Sequence, residues 1–289
     1  MTESLSHWLR LREPADAMAR AEELTRAVSG TVDAQKPVHV LDLATGTGSN
    51  IRYLVPRLPR HQRWLAVDKD AVLLAELPNR MASWGAAQGY DVRPTATGCA
   101  IRGASLDCLI DTRHLDLSGV DEGTIFARRQ LVTASALLDL VSAQWLRALA
   151  GQCRSAGASA LFTITYNGRS SCSPAEPEDE IIRGLMNRHQ KRDKGLGGPA
   201  EGPDATDWAE LVFSQAGFYV RREASDWTLG PNEDDLQREL IEGWAQAATD
   251  VAPELALKIE QWRVRRLEHV KAGRSKIVVC HEDMAALAS

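Results

Sequence analysis

The sequence predicts an α/β protein, a Rossmann-like sheet with helices on both faces. Three observations lead there. Short runs of Leu and β-branched residues, such as Val38-His39-Val40-Leu41-Asp42-Leu43 and Trp64-Leu65-Ala66-Val67, alternate with amphipathic stretches of helical length. The first run passes into a turn of small residues, Ala44-Thr45-Gly46-Thr47-Gly48, and then into a helical segment. A last apolar run at 275–281 follows two helical segments and reads as a closing strand.

Taken in order, Trp8, Leu9 and Leu11 mark a short helix over 5–12, and Pro14 suits the first turn of a new one. Ala17, Met18, Ala21, Leu24 and Val28 form one helix face, ended by Ser29-Gly30. The run 38–43 is a buried strand, 49–58 a helix, 64–67 a second strand ending at Asp68, and 71–84 a helix distorted by Pro78. Residues 91–117 are less regular and suggest a hairpin around Gly103. Strands follow at 132–135 and 159–166, separated by a helix over 136–150. Residues 168–206 are rich in Ser, Pro, Gly and charge, and read as a lid-like insertion after the fifth strand. A helix at 208–216, a strand at 218–222 and helices at 232–248 and 253–272 complete the pattern. The expected organisation is a single domain over 1–289, divided into a helical cap (1–37), a cofactor-binding half (38–167), a lid and substrate segment (168–206) and a part that completes the sheet (207–289).

Composition narrows the function. The 289 residues carry 34 Lys+Arg against 39 Asp+Glu, a net charge of −5, and 44 % are hydrophobic. These are values of a folded globular chain, and the mild acidity argues against a dedicated nucleic-acid binder. Cys99, Cys108, Cys153, Cys172 and Cys280 include no C-x-x-C pair, so reduced thiols and a cytoplasmic location are expected. The first residues lack a signal-peptide pattern, and no apolar run approaches the ~18 residues of a membrane span. No triplet of clustered His, Asp and Glu asks for a metal.

The stretch from Asp42 to Asn50 carries the chemistry. Small residues let backbone approach a ligand, and a helix start offers free N–H groups. A dinucleotide prefers G-x-G-x-x-G, but Ile51 stands at the third glycine position and Asp42 precedes the loop. A carboxylate there repels pyrophosphate and attracts an ammonium, which favours S-adenosylmethionine over a nicotinamide cofactor. Asp68, at the end of the second strand, is placed to accept ribose hydroxyls.

On these residues the chain resembles the class I S-adenosylmethionine-dependent methyltransferases of small-molecule type. Asp42-Leu43-Ala44-Thr45-Gly46-Thr47-Gly48 approximates that family's glycine-rich motif, with Ala44 in place of the first glycine. The resemblance covers 38–167, departs from the family pattern at 91–117, and is one of general order beyond 168. It implies a cofactor site of Asp42, Ala44, Thr45, Gly46, Thr47, Gly48, Asn50, Asp68, Lys69, Asp116, Leu117, Thr133, Ala134 and Ser135. Asp116 would contact the adenine amine, with Asp111 as its rival, and Thr133-Ala134-Ser135 would lie near the sulfonium. The closing strand would be the family's antiparallel seventh.

For catalysis the sequence offers Asp139, just past the fourth strand, and His189, within the polar run 187–194. Asp139 reads equally as a helix-dipole partner, and the plain reading of the polar run is a solvated helix end, with a substrate lid as the functional one. A His near neutral pKa suits proton removal from a hydroxyl or amine. Tyr166, Asn167, Arg169, Asn187 and His189 are the expected substrate residues. Trp8, Trp227, Trp244 and Trp262 read as core, with Trp8 or Trp227 alternatively stacking on a flat substrate. Acidic residues at 233–242 and basic ones at 263–276 read as two solvated helix faces.

The expected function is methyl transfer to a small-molecule acceptor, at O or N rather than C, leaving S-adenosylhomocysteine. The expected assembly is a monomer or homodimer away from membranes. A nicotinamide-dependent oxidoreductase and a non-catalytic cofactor-binding module are the alternatives. RNA methylation is disfavoured by the net charge. Methylation of base amines is disfavoured further, because Thr133-Ala134-Ser135-Ala136 stands where an Asn-Pro-Pro-Tyr type signature would be.

Overall fold

A computed structural model describes residues 2–120 and 123–288. The chain opens with α1 (Thr2–Ala19) and α2 (Glu22–Ser29), then β1 (Val38–Leu43), α3 (Ser49–Leu54), β2 (His61–Asp68) and α4 (Ala71–Gln88). An edge meander follows: β3 (Asp91–Pro94), β4 (Gly98–Gly103) and β5 (Leu106–His114). Next come α5 (Gly123–Phe126), β6 (Leu131–Ser135), α6 (Ala143–Ala156), β7 (Ser159–Ser173) and α7 (Asp179–Gln190). The chain ends with α8 (Ala205–Gln215), β8 (Tyr219–Ala224), β9 (Trp227–Leu229), α9 (Asp234–Val251), α10 (Ala256–Lys271) and β10 (Lys276–Leu287).

The strands lie in the order β3-β4-β5-β2-β1-β6-β7-β10-β8, with β9 paired to β10. From β5 to β7 all neighbours are parallel, and β10 runs antiparallel between β7 and β8. The run β5-β2-β1-β6-β7-β10-β8 is the expected seven-stranded sheet, and its closing strand is antiparallel. β3, β4 and β9 widen it to ten strands. The meander packs closely. A Cβ added at Gly98 would lie 2.1 Å from the Ile110 carbonyl oxygen, so only glycine fits there.

Burial divides the interior in three. On one sheet face Trp145, Phe162 and Phe213 pack under α6 and α8. On the other, Leu24, Trp64 and Leu77 pack under α2, α3 and α4. A third cluster, with Trp227, Trp244 and Trp262, lies between β7, β10 and the helices α7, α9 and α10. This helical layer forms the roof of the site described below.

Three local expectations change. The N-terminal break falls after Ala19 rather than before Pro14. Pro14 sits inside α1, and the chain turns at Ala21, whose N–H donates to Asp283 Oδ2 (2.9 Å). The helix expected from 136 starts at Ala143, because Ser142 caps it by accepting the Trp145 N–H, and residues 138–140 form a separate 3-10 turn. The lid-like segment is partly regular: β7 runs on to Ser173 and α7 follows, which leaves mainly 191–201 irregular. Among the described residues no helix is long and apolar enough to cross a membrane.

Candidate active site

The crevice lies at the carboxyl ends of the parallel strands, where β1 and β6 diverge to opposite sides of the sheet. Three neighbouring strands there carry non-glycine residues in the left-handed region: Ala44 after β1 (φ 51°), Ala136 after β6 (φ 52°) and Ile164 in β7 (φ 55°). A β-branched residue rarely adopts that conformation, and such strain gathers at functional sites. Ala44 occupies the position where the family motif has glycine, which explains that glycine.

Asp42, the penultimate residue of β1, is fully buried. Its Oδ2 accepts from Thr45 Oγ1 (2.5 Å) and its Oδ1 from Asn50 Nδ2 (2.6 Å). Burial pushes its pKa up to about 6, against the pull of those two donors and the Arg20 charge. Asp42 was expected to attract a ligand's ammonium. Both its oxygens accept a bond inside the protein, and through Thr45 and Asn50 it shapes the loop. Asn50 also donates to Thr133 Oγ1 (3.1 Å), which donates to the Leu161 carbonyl (2.8 Å). One chain of hydrogen bonds thus ties β1, α3, β6 and β7.

Asp68 braces the same loop. Its Oδ2 accepts the Gly46 N–H (2.8 Å) and its Oδ1 the Asp70 N–H (2.9 Å). Gly46 and Gly48 both have positive φ, and Leu9 of α1 lies over Gly46, where an added Cβ would come within 3.1 Å of it. Thr47 holds Arg52 through its carbonyl (2.6 Å), and Arg52 pairs with Glu13 of α1. Asp116 lies exposed, its Oδ1 accepting the Ser118 N–H (2.9 Å); Lys69, just past the end of β2, is exposed as well. Leu117 is buried, with its carbonyl held by Trp145 Nε1 (2.7 Å). Asp111 accepts from Thr97 within the meander.

Two cavities adjoin the end of β6, one lined by Ser135 and the other by Ala136. The smaller, about 310 Å³, lies between α1 and α3 and is lined by Asp16, Arg20, Ser49, Asn50, Tyr53 and Ser135, among others. Arg20 is buried, donates through Nη1 to Asn50 Oδ1 (2.8 Å), and stacks on Tyr53 (4.3 Å). Its Nη2 has no hydrogen-bond partner, and its Nε faces Asp283 only at 3.8 Å. A guanidinium with an unused donor, beside acidic Asp16, suits a molecule with both a carboxylate and an ammonium. Nothing in the sequence marks Arg20; its role comes from the break between α1 and α2.

The larger cavity, about 740 Å³, lies under α7 and α9 and is lined by Trp8, Ala136, Asp139, Tyr166, His189 and His281, among others. Asp139 is 7 % exposed, and its Oδ1 has no partner. Burial raises its pKa to about 6. It sits in the 3-10 turn before α6, so the helix-dipole reading does not apply. His189 stands at the rim. Burial and the neighbouring Lys194 and Arg192 charges lower its pKa, and its Nε2 is 3.9 Å from Asp250. Asn187 acts as a strut, accepting from Tyr166 Oη (3.0 Å) and donating to the Gly168 carbonyl (2.9 Å). Asn167 and Arg169 pair with each other, and neither lines this cavity. His281, on β10, does line it and carries no signal in the sequence. A register shift between Val279 and His281 brings it there from the last strand.

No family model and no curated protein matches the chain. Solved structures similar to it include the YcgJ protein from Bacillus subtilis (11 % identity over 93 % of this chain and 100 % of that one, TM-score 0.46). Another is the cyclopropane synthase MmaA2 from Mycobacterium tuberculosis (11 % identity, 91 % and 82 %, TM-score 0.45). A third is a geranyl diphosphate methyltransferase in complex with S-adenosylmethionine (11 % identity, 95 % and 85 %, TM-score 0.44). By its own strand order, its antiparallel closing strand and the loop after β1, the chain has the fold of the class I S-adenosylmethionine-dependent methyltransferases.

Proposed function

We propose that the protein transfers a methyl group from S-adenosylmethionine to a small-molecule acceptor. One observation carries the reading: Ser135 lines the smaller cavity and Ala136, the next residue, lines the larger. Ligands in the two cavities would therefore face each other across the end of β6.

The residues present fit the cofactor. Arg20 Nη2 is an orphaned donor for its carboxylate, and Asp16, which already accepts from Arg12 and Trp227, is an acidic group on the same wall for its ammonium. Gly46 and Gly48, at positive φ, let the loop backbone approach it. Asp68, Lys69 and Asp116 are the candidates for its nucleoside end, and Thr133, Ala134 and Ser135 for the reacting end. When bound, the cofactor supplies an electrophilic methyl group on a positive sulfur.

The chain's own residues do the rest. Trp8, Tyr166 and the roof helices hold the acceptor and exclude water. Asp139 takes the acceptor's proton, and a pKa near 6 suits a general base at neutral pH. That role favours an acceptor atom bearing hydrogen, O or N, over carbon. His189 at the rim is the alternative base.

Calorimetry with S-adenosylhomocysteine and with 5′-methylthioadenosine, which lacks the amino-acid end, tests the proposal. Saturable binding of both is expected, with S-adenosylhomocysteine tighter. No binding at millimolar ligand, or NADH binding instead, would overturn it.

A further inference from the structure

We infer that the larger cavity takes a planar aromatic acceptor bearing a hydroxyl or amino hydrogen, in preference to anionic or long aliphatic molecules. The inference deepens the methyl-transfer reading and rests on it for the fate of the acceptor. The binding preference stands on the cavity itself.

The walls are aromatic and held in place. Trp227 meets His281 with ring centroids 4.8 Å apart and Trp8 at 6.4 Å, and Tyr166 meets His281 edge-on at 6.2 Å. Trp227 Nε1 donates to Asp16 Oδ1 (3.1 Å), and the Arg12 guanidinium lies 5.0 Å from the Trp227 ring while pairing with Asp16. These bonds fix the indole before any ligand arrives, which lowers the entropy lost on stacking. At about 740 Å³ the space suits a ring system of drug size.

Two polar atoms on residues that line this aromatic chamber lack partners. Asp139 Oδ1 and His281 Nδ1 are both buried without a hydrogen bond, in residues 7 % and 5 % exposed. Burial and the Arg12 charge keep the His281 ring neutral, so it offers one lone pair and one N–H. Asp139 is the stronger guide. A buried carboxylate oxygen without a donor selects a ligand that brings one, and the Arg12 guanidinium on the cavity wall is already paired with Asp16 rather than open to a second anion. Glu239 at the exposed side of the cavity adds to that bias. An alkyl chain would fill the volume and leave both atoms unpaired, whereas sites built around such groups discriminate strongly.

In the transfer, the acceptor's lone pair forms the new bond to the methyl carbon. The carbon–sulfur bond breaks with its electron pair passing to sulfur, and the acceptor's proton passes to Asp139. Charge balances, because the positive sulfur becomes a neutral thioether as the carboxylate becomes a neutral acid.

The test titrates the full chain, with and without S-adenosylhomocysteine, with four probes: 2-naphthol, 2-methoxynaphthalene, 2-naphthoate and 1-decanol. The expected order places 2-naphthol about 10-fold or more tighter than each of the others. Asp139→Asn and His281→Leu should each shrink the margin of 2-naphthol over 2-methoxynaphthalene to within about threefold. Affinities of all four within threefold, or decanol or naphthoate binding as tightly as naphthol, overturn the inference. The wild-type series decides this even if a variant fails to fold. Binding of S-adenosylhomocysteine with a flat naphthol series sinks the acceptor class alone. The naphthol order without any S-adenosylhomocysteine binding sinks the methyl-transfer reading and keeps the cavity's preference.

Discussion

The loop after β1 and the chamber under α7 and α9 both lie beside the end of β6, yet they are built in opposite ways. The loop is local. Asp42, Thr45, Gly46 and Asn50 lie within nine consecutive residues, and the side chains of Arg20, Asp68 and Thr133 reach them from elsewhere. The chamber draws on α1, the 3-10 turn after β6, β7, α7, α9, β9 and β10. The loop is also saturated, with each Asp42 and Asp68 oxygen bonded, whereas the chamber holds unpaired Asp139 and His281 atoms. A saturated element serves a constant ligand. An unsaturated chamber on separate elements is free to vary, and its open bonds describe what it takes.

The sharpest way to break this contrast is Asp139→Asn, which keeps shape and removes the base. We expect kcat to fall by about 100- to 10,000-fold while S-adenosylhomocysteine affinity stays within threefold. Parallel loss of cofactor affinity would mean that the two regions are not separable. The wild-type kcat should also fall as pH drops through about 6, where Asp139 takes up a proton. The sign for stability is the reverse. A carboxyl raised from 3.8 in the folded state binds its proton more readily there, so protonation favours the fold as it stops the reaction. Activity should therefore fall to about a tenth near pH 5 with the circular dichroism unchanged, and the acid limb should disappear from the residual activity of Asp139→Asn.

Asp283 ties the two regions. Fully buried, it accepts the N–H groups of Ile164 (2.8 Å) and Ala21 (2.9 Å) and faces Arg20. Asp283→Ala leaves a buried guanidinium and two amides short of a partner. It should cost about 3–5 kcal/mol of stability in a urea melt, and a loss below 1 kcal/mol would show that α1 is not anchored there. Arg20→Gln is milder. It should weaken S-adenosylhomocysteine about 10-fold and leave 5′-methylthioadenosine unchanged, the signature of a lost carboxylate contact.

These residues also show what a sequence can disclose. The sheet was legible because buried parallel strands are written as short apolar runs and each helix as a 3.6-residue pattern. The loop was legible because its small residues are contiguous. Asp139 stood out as a carboxylate amid Leu138, Leu140 and Val141. Arg20, His281 and Asp283 were silent. Their meaning depends on a helix break and a strand bulge that bring together residues more than 250 positions apart, and no local pattern records such a meeting. The edge strands β3 and β4 were equally faint, because an exposed meander lacks a continuous apolar run.

The smallest expected effect separates two acids that the sequence treats alike. Asp68 is nearly buried and holds the loop through the Gly46 N–H, so Asp68→Ala should weaken S-adenosylhomocysteine by at least 10-fold, through the loop as well as any ribose contact. Asp116 is exposed and closes only its own turn to Ser118. A contact from so open a position is screened by water and contributes little. Asp116→Ala should change affinity by about threefold or less, for S-adenosylhomocysteine and 5′-methylthioadenosine alike, because both carry the adenine. A loss confined to one of the two ligands would place Asp116 away from the adenine, and a 10-fold loss for both would mean that the loop at 115–118 closes over the cofactor on binding.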